Sequence, residues 1–185
     1  MDYSVNDRQR LFLIGPMGAG KTTIGKRLAD ALGLAFVDSD AEIERRTGVS
    51  IPTIFDIEGE QGFRTREEVT IGELSCRERI VLATGGGAIL SATTRERLRA
   101  RGTVIFLDAS VEQQLRRTRH DRNRPLLQTP DPKARLQQLL EQRLPLYRET
   151  ADLRFASDSG SPGRLVQRIL NGLNGPSHPQ DTQPS

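Results

Sequence analysis

The sequence predicts an α/β fold in which a parallel sheet carries helices on both faces. Three observations lead there. Short apolar runs of strand length alternate with longer amphipathic stretches, the pattern of repeated strand and helix units. A glycine-rich turn, "GPMGAGKTT" at 15–23, joins the first apolar run directly to the first helix-like stretch. Later helix-like stretches begin at serine, aspartate and proline residues of the kind that cap helices.

Taken in order, "RLFLIG" (10–15) reads as a buried strand. "KTTIGKRLADALG" (21–33) reads as a helix with Ile24, Leu28 and Leu32 on one face and Gly33 as its stop. "AFVD" (35–38), "IVLAT" (80–84), "TVIFLD" (103–108) and "LRFA" (153–156) are the other strands, each followed by a helical stretch. Ser110 with Gln113 forms a capping box, and Asp131-Pro132 and Ser161-Pro162 place proline at the first helical position. From Asn174 onward the polar, proline-rich "NGPSHPQDTQPS" has no period and reads as a disordered tail. The expected organisation is an N-terminal extension over 1–9, one domain over 10–173 and the tail over 174–185.

Composition narrows the function. At 185 residues, 35% hydrophobic and 28% charged, the chain fits one soluble domain and not a disordered polymer. No apolar run approaches the roughly 18–20 residues of a membrane span, and the first one, 11–14, stops at a glycine turn instead of a cleavage site. A cytoplasmic protein with no membrane partner is expected. Cys76 is the lone cysteine and the two histidines are far apart, so disulfides and nitrogen or sulfur metal clusters are excluded and any metal is held by oxygen. The net charge of +3 is a weak basic bias, and 4% aromatics without tryptophan argue against a nucleic-acid stacking surface. All but three of the 27 basic residues are arginines, so a lysine inside the glycine loop is informative.

That loop fits G-x-x-x-x-G-K-[ST] through Gly15, Gly20, Lys21 and Thr22. Small residues let successive backbone N–H groups point at phosphate oxygens, and the following helix adds its unpaired N–H groups and positive end. Lys21 reaches the terminal phosphates, and the Thr22 hydroxyl takes one position around Mg²⁺. The bland alternative is a turn that only joins strand to helix; the strand before and the helix after favour the phosphate reading.

The kind of phosphate chemistry follows from the remaining acids. No lysine follows an asparagine, so the N-K-x-D segment of GTPases is missing. "VIFLD" ends at Asp108 as a Mg²⁺-holding strand of an ATPase would, but Asp108 and Ser110 equally shape the start of the next helix, and that reading is preferred. "VDSD" places Asp38 and Asp40 two apart at a strand end, where alternation sends both carboxylates to one side. One acid then holds Mg²⁺ through water while the other accepts a hydrogen bond from an attacking hydroxyl, although either one alone also serves as a helix cap. Gly85, Gly86 and Gly87 follow a third apolar strand, a costly run unless the backbone must approach something closely.

Beyond these residues the chain resembles the bacterial shikimate kinases over about 10–172. The matching stretches, in order, are "GPMGAGKTTIGKRLA", "DSDAEIERRTG", "IFDIEGEQGFRTRE", "VLATGGG", "NRPLL" and "RLPLY". The resemblance implies a P-loop kinase three-layer fold: a five-stranded parallel sheet, a substrate-binding segment over about 40–68 and a mobile lid over about 119–131. It implies transfer of the terminal phosphoryl group of ATP to the 3-hydroxyl of shikimate, giving shikimate 3-phosphate and ADP on the chorismate route to aromatic amino acids, by a monomer with one Mg²⁺.

Residue by residue, the resemblance assigns Gly18, Ala19, Gly20, Lys21, Thr22 and Thr23 to the ATP phosphates, with Mg²⁺ on Thr22 and, through water, on Asp38. Asp40 binds the acceptor hydroxyls and is the candidate base, orienting the hydroxyl more than removing a full proton. Arg64 and Arg143 grip the substrate carboxylate with the planar fork of a guanidinium, and Gly85, Gly86 and Gly87 offer backbone to the same ligand. Arg124 is the lid arginine that offsets charge on the transferred group, catalytic together with Lys21 and Asp40, and Arg117 stacks on adenine ahead of Arg116 and Arg119. The turn "SDSGSPG" faces the base with no ligand residue assigned. Two rival readings remain beside this one: a related kinase of gluconate or a nucleotide, and a nucleotide-binding regulatory module without transfer chemistry.

Overall fold

The computed structural model describes residues 9–119, 125–157 and 160–175. Five strands form one all-parallel sheet: β1 (Arg10–Ile14), β2 (Ala35–Asp38), β3 (Ile80–Ala83), β4 (Thr103–Asp108) and β5 (Leu153–Ala156), in the order β2-β3-β1-β4-β5. The described residues form seven helices, α1 (Lys21–Leu32), α2 (Ser39–Thr47), α3 (Ile51–Leu74), α4 (Ala92–Arg101), α5 (Val111–Thr118), α6 (Pro132–Thr150) and α7 (Pro162–Asn174). Short 3₁₀ turns lie at Ala88–Leu90 and Pro125–Leu127.

The expected strands are present with ends shifted by at most one residue, and α1 stops at Gly33, whose φ of 63° is the left-handed cap conformation. The serine and aspartate caps form: Ser110 Oγ accepts from Gln113 N at 3.2 Å, Asp131 Oδ1 from Ala134 N at 3.0 Å and Ser161 Oγ from Arg164 N at 3.4 Å. The Gln113 side chain accepts from Arg116.

Strand alternation divides the core into two layers. Leu11 and Leu13 face α1 and α7 with Leu28, Leu107 and Ile169, while Phe12 and Ile14 face the other side with Ile71, Leu82, Phe106 and Tyr147. Because β1 lies between β3 and β4, the chain runs to one side of β1 for β2 and β3 and to the other for β4 and β5. Ligands of open parallel sheets settle at such a switch point, beyond the carboxyl ends of the strands. The register brings three loops there: Leu13 and Asp38 both align with Ala83, so the glycine loop, the start of α2 and Gly85–Gly87 share one edge.

One expectation about this edge is corrected. Asp38 and Asp40 are not two alternating strand residues, because β2 ends at Asp38 and Asp40 already lies in the first turn of α2. Asp38 itself turns the chain, its Oδ1 accepting from Asp40 N at 3.0 Å and Ala41 N at 3.2 Å. Both acids still reach the edge, one as a helix cap and one from the helix. The N-terminal extension up to residue 8 and the tail from 176 lie outside the described residues.

α3 departs from a single helical path at Gly59, where φ is 71° and ψ 179°. The segments on either side both turn toward the site.

Candidate active site

The glycine loop closes on itself before α1 begins. Ala19 N donates to Pro16 O at 3.2 Å, and the buried Lys21 ammonium donates to Gly15 O at 2.6 Å and Pro16 O at 2.8 Å. A fixed positive charge thus stands beside the N-terminus of α1, which attracts anions by its own dipole and N–H groups. Next to it, Thr22 Oγ1 donates to Asp38 Oδ2 at 2.7 Å. Gly18, Gly20, Lys21, Thr22, Thr23, Asp38, Asp40, Gly85, Gly86 and Arg117 line one cleft.

At one end of the cleft, Arg117 spans the wall. Its Nη1 donates to Gly18 O at 2.8 Å and its Nη2 to Ser157 O at 3.1 Å, tying the glycine loop to the turn after β5. Arg116 instead bonds to Gln113 on its own helix, so of the neighbouring arginines it is Arg117 that meets the cleft. Ala19, Thr23, Ser157, Gly160, Pro162 and Leu165 complete a pocket around it, so the described part of the turn "SDSGSPG" borders the cleft.

Opposite, the same cleft opens into a second pocket through Met17, Asp40, Gly85 and Gly86. Ile51, Phe55, Phe63 and Leu126 give it an apolar wall, with the Phe55 and Phe63 rings 5.0 Å apart. Arg64 and Arg143 supply its charge. Arg64 Nη1 donates to Glu67 Oε2 at 2.7 Å and Nη2 to Glu60 Oε1 at 3.1 Å. The Nε groups of Arg64 and Arg143 are buried without a hydrogen-bond partner. Both arginines line the pocket, and two guanidinium groups side by side suit a carboxylate.

Burial shapes the electrostatics. It pushes the Glu67 carboxyl above the ordinary glutamate range, against the opposing pull of Arg64, and it weakens the hold of Arg143 on its proton without discharging it. The Tyr147 phenol is likewise pushed up by burial; its hydroxyl donates to Gly86 O at 2.5 Å and its ring stacks on Phe106 at 5.0 Å.

The glycine run is where these side chains press on the backbone. A Cβ on Gly85 would stand 2.3 Å from Glu67 Oε1 and 2.8 Å from Asp40 Oδ1, and one on Gly87 would stand 2.3 Å from the Arg64 guanidinium. The close approach expected of the glycine run is therefore to the acids and arginine of the pocket at Gly85 and Gly87, and to the glycine-loop backbone at Gly86, where a Cβ would stand 3.2 Å from Met17 N. Asp108 is engaged elsewhere, paired with Arg154 across β4 and β5, in keeping with a structural role.

Every sequence-expected site residue among those described lines this continuous cleft; Arg124 lies outside the described residues. The sequence reading did not single out Glu67, Glu60 or Tyr147. Glu67 stands three residues after Arg64 and Tyr147 four after Arg143, spacings that share a helix face and are the signal that was available.

Residues 17–174 match the family described as shikimate kinase. The shikimate kinase of Halorhodospira halophila is 58% identical over 166 residues, covering 90% of this chain and 94% of that protein. Among solved structures, the shikimate kinase from Acinetobacter baumannii in complex with shikimate superposes with a TM-score of 0.88 at 53% identity, covering 90% of this chain and 93% of the other. A gluconokinase from Sinorhizobium meliloti reaches a TM-score of 0.56 at 19% identity over 92% of this chain and 94% of its own, a likeness of fold alone.

Proposed function

The chain belongs to the shikimate kinase family, and from that premise we infer that it transfers the terminal phosphoryl group of ATP to the 3-hydroxyl of shikimate. The observation that carries the residue-level reading is the position of Asp40, which lines both the phosphate cleft and the pocket of Arg64 and Arg143. A hydroxyl held by Asp40 faces a phosphate held by the glycine loop.

In this reading the loop from Gly18 to Thr23 cradles the phosphates, and Lys21 leaves the Gly15 and Pro16 carbonyls to meet the terminal ones. Arg117 packs against the base. Arg64 and Arg143, which both line the pocket, grip the acceptor carboxylate and turn the ring so that one hydroxyl meets Asp40. Asp40 accepts a hydrogen bond from that hydroxyl and takes its proton as the new oxygen–phosphorus bond forms and the bond from the terminal phosphorus to the bridging oxygen breaks, releasing ADP. Tyr147 fixes the Gly86 carbonyl, and Glu67 and Glu60 hold the fork of Arg64. Arg124, in the lid segment 119–131, is proposed to offset charge on the transferred group, and lid closure to exclude water.

The residues beside the loop fit one Mg²⁺. Thr22 Oγ1 and Asp38 Oδ2 are oxygen donors 2.7 Å from one another next to the phosphate cradle, and the described residues contain no group of three acidic, histidine or cysteine side chains that would enclose a metal. That suits an ion that keeps waters and phosphate oxygens as most of its ligands. Thr22 would hold it directly and Asp38 through water, and the bound ion would neutralise phosphate charge.

We further propose that residues 10–173 act as one domain and one monomer in the cytoplasm; none of the described helices is long and apolar enough to cross a membrane. ADP release with Mg²⁺ and ATP, measured with shikimate, with gluconate and with no acceptor, tests the activity. Release that depends on shikimate alone is expected, whereas folded protein giving no such signal overturns the reading.

A further inference from the structure

We propose that Glu58 and Arg66 form a strut across the Gly59 kink of α3 that sets the width of the acceptor pocket, making both of them positioning residues for acceptor binding. The pair is bidentate, Arg66 Nε to Glu58 Oε2 at 2.8 Å and Nη2 to Oε1 at 2.6 Å. On a continuous α-helix, residues eight apart lie about 12 Å along the axis, beyond the three- and four-residue spacing at which side chains meet. The pair exists because the chain turns at Gly59, whose φ of 71° is the left-handed region. Gly62 allows the turn to close, since a Cβ there would stand 2.5 Å from Glu58 Cβ.

The kink has a functional face. Ile51 and Phe55 before it and Phe63, Arg64 and Glu67 after it line the same pocket, so the angle at Gly59 sets how far the apolar wall stands from the Arg64 guanidinium. Glu58 and Arg66 do not line that pocket; they border a separate hollow with Ile43, Thr65 and Val69. Arg66 also draws the Glu58 carboxyl below its ordinary range, as expected of a charge-assisted pair. Both side chains are partly exposed, so the effect on binding is modest and read in the acceptor half alone.

The proposal rests on the acceptor pocket assigned above. Steady-state kinetics of the full chain are compared for Glu58→Gln, Arg66→Gln and the reversed pair Glu58→Arg with Arg66→Glu, with Arg64→Ala alongside. Each single neutralisation is expected to raise the KM for shikimate roughly threefold with kcat and the KM for ATP unchanged, and the reversed pair to regain most of the loss. Unchanged shikimate KM in both single variants, a fall in Tm without a change in KM, or a reversed pair no better than the single variants combined overturns the strut. Arg64→Ala separates the two readings: if it weakens shikimate binding while the strut variants do not, only the strut falls, and if it does not, the pocket assignment falls first.

Discussion

Thr22 and Asp38, sixteen residues apart, meet at 2.7 Å through Oγ1 and Oδ2, while the other oxygen of the same carboxylate caps α2. Asp38 therefore serves the site and the fold with separate atoms. Asparagine caps a helix about as well as aspartate, so Asp38→Asn should leave Tm nearly unchanged. The loss of charge beside Thr22 should raise the Mg²⁺ concentration for half-maximal activity roughly tenfold. Asp108→Asn is the control, since Asp108 is committed to Arg154, and it should leave the Mg²⁺ titration where it was. Equal responses from the two variants would contradict the assignment.

Gly85→Ala should strike the acceptor half selectively. Its Cβ would press on a Glu67 carboxylate whose side chain is only 3% exposed and has no room to retreat, and on Asp40. Overpacking of this kind costs about 1–3 kcal/mol, so shikimate KM should rise roughly tenfold or more while ATP affinity, measured by nucleotide titration, is kept. A loss confined to ATP would reverse the proposed division of the cleft.

Tyr147→Phe should lower both stability and acceptor affinity. The half-buried Gly86 carbonyl loses its Tyr147 donor, a cost of about 1 kcal/mol, which lowers Tm by roughly 2–4 °C in a domain of this size. The peptide that shikimate is proposed to contact is then free to shift. Thermal melts and shikimate KM measured on one preparation check both effects, and an unchanged Tm would mean that the hydroxyl contributes nothing to holding the loop.

Glu42 gives the clearest pH signature. It accepts from Arg45 at 2.8 and 2.9 Å and from Arg46 at 2.8 Å, while Arg46 also reaches Glu73 of α3 at 2.5 Å. These bonds hold its carboxyl at about 2, against an ordinary 4.5. A folded value below the unfolded one means that the unfolded chain takes up the proton first as pH falls. The stabilisation is complete above 4.5 and disappears as pH approaches 2. The Tm difference between wild type and Glu42→Gln should be constant near neutrality and shrink across that window. A difference that grows on acidification would show the opposite linkage.

Much of this was legible in the sequence because it is local. Strands such as "TVIFLD" announce themselves by continuous apolar character, and α1 by its period and by Gly33. The glycine loop is legible because its spacing is its mechanism. Asp38 and Asp40 were found by a strand argument that the helix start at Ser39 replaces, since a cap signal and a strand end look alike at one residue. Glu67 and Tyr147 stayed hidden for a different reason. Their roles come from what they press against, Gly85 and Gly86, which are 18 and 61 residues away and are brought close only by the β3 register and the packing of α6.

Arg117 holds the donor side by two backbone carbonyls, Gly18 O and Ser157 O, and a carbonyl is something every residue has. On the proposed acceptor side Arg64 is held by the Glu67 carboxylate, while the Tyr147 hydroxyl holds the Gly86 carbonyl. The two halves of one cleft are thus written in different alphabets. Ser157 directly follows β5, so the strand end places its carbonyl and any residue there could accept from Arg117, whereas the Arg64–Glu67 pair depends on the identity of both side chains. Substitution of Ser157 is therefore expected to cost less activity than substitution of Arg64 or Glu67.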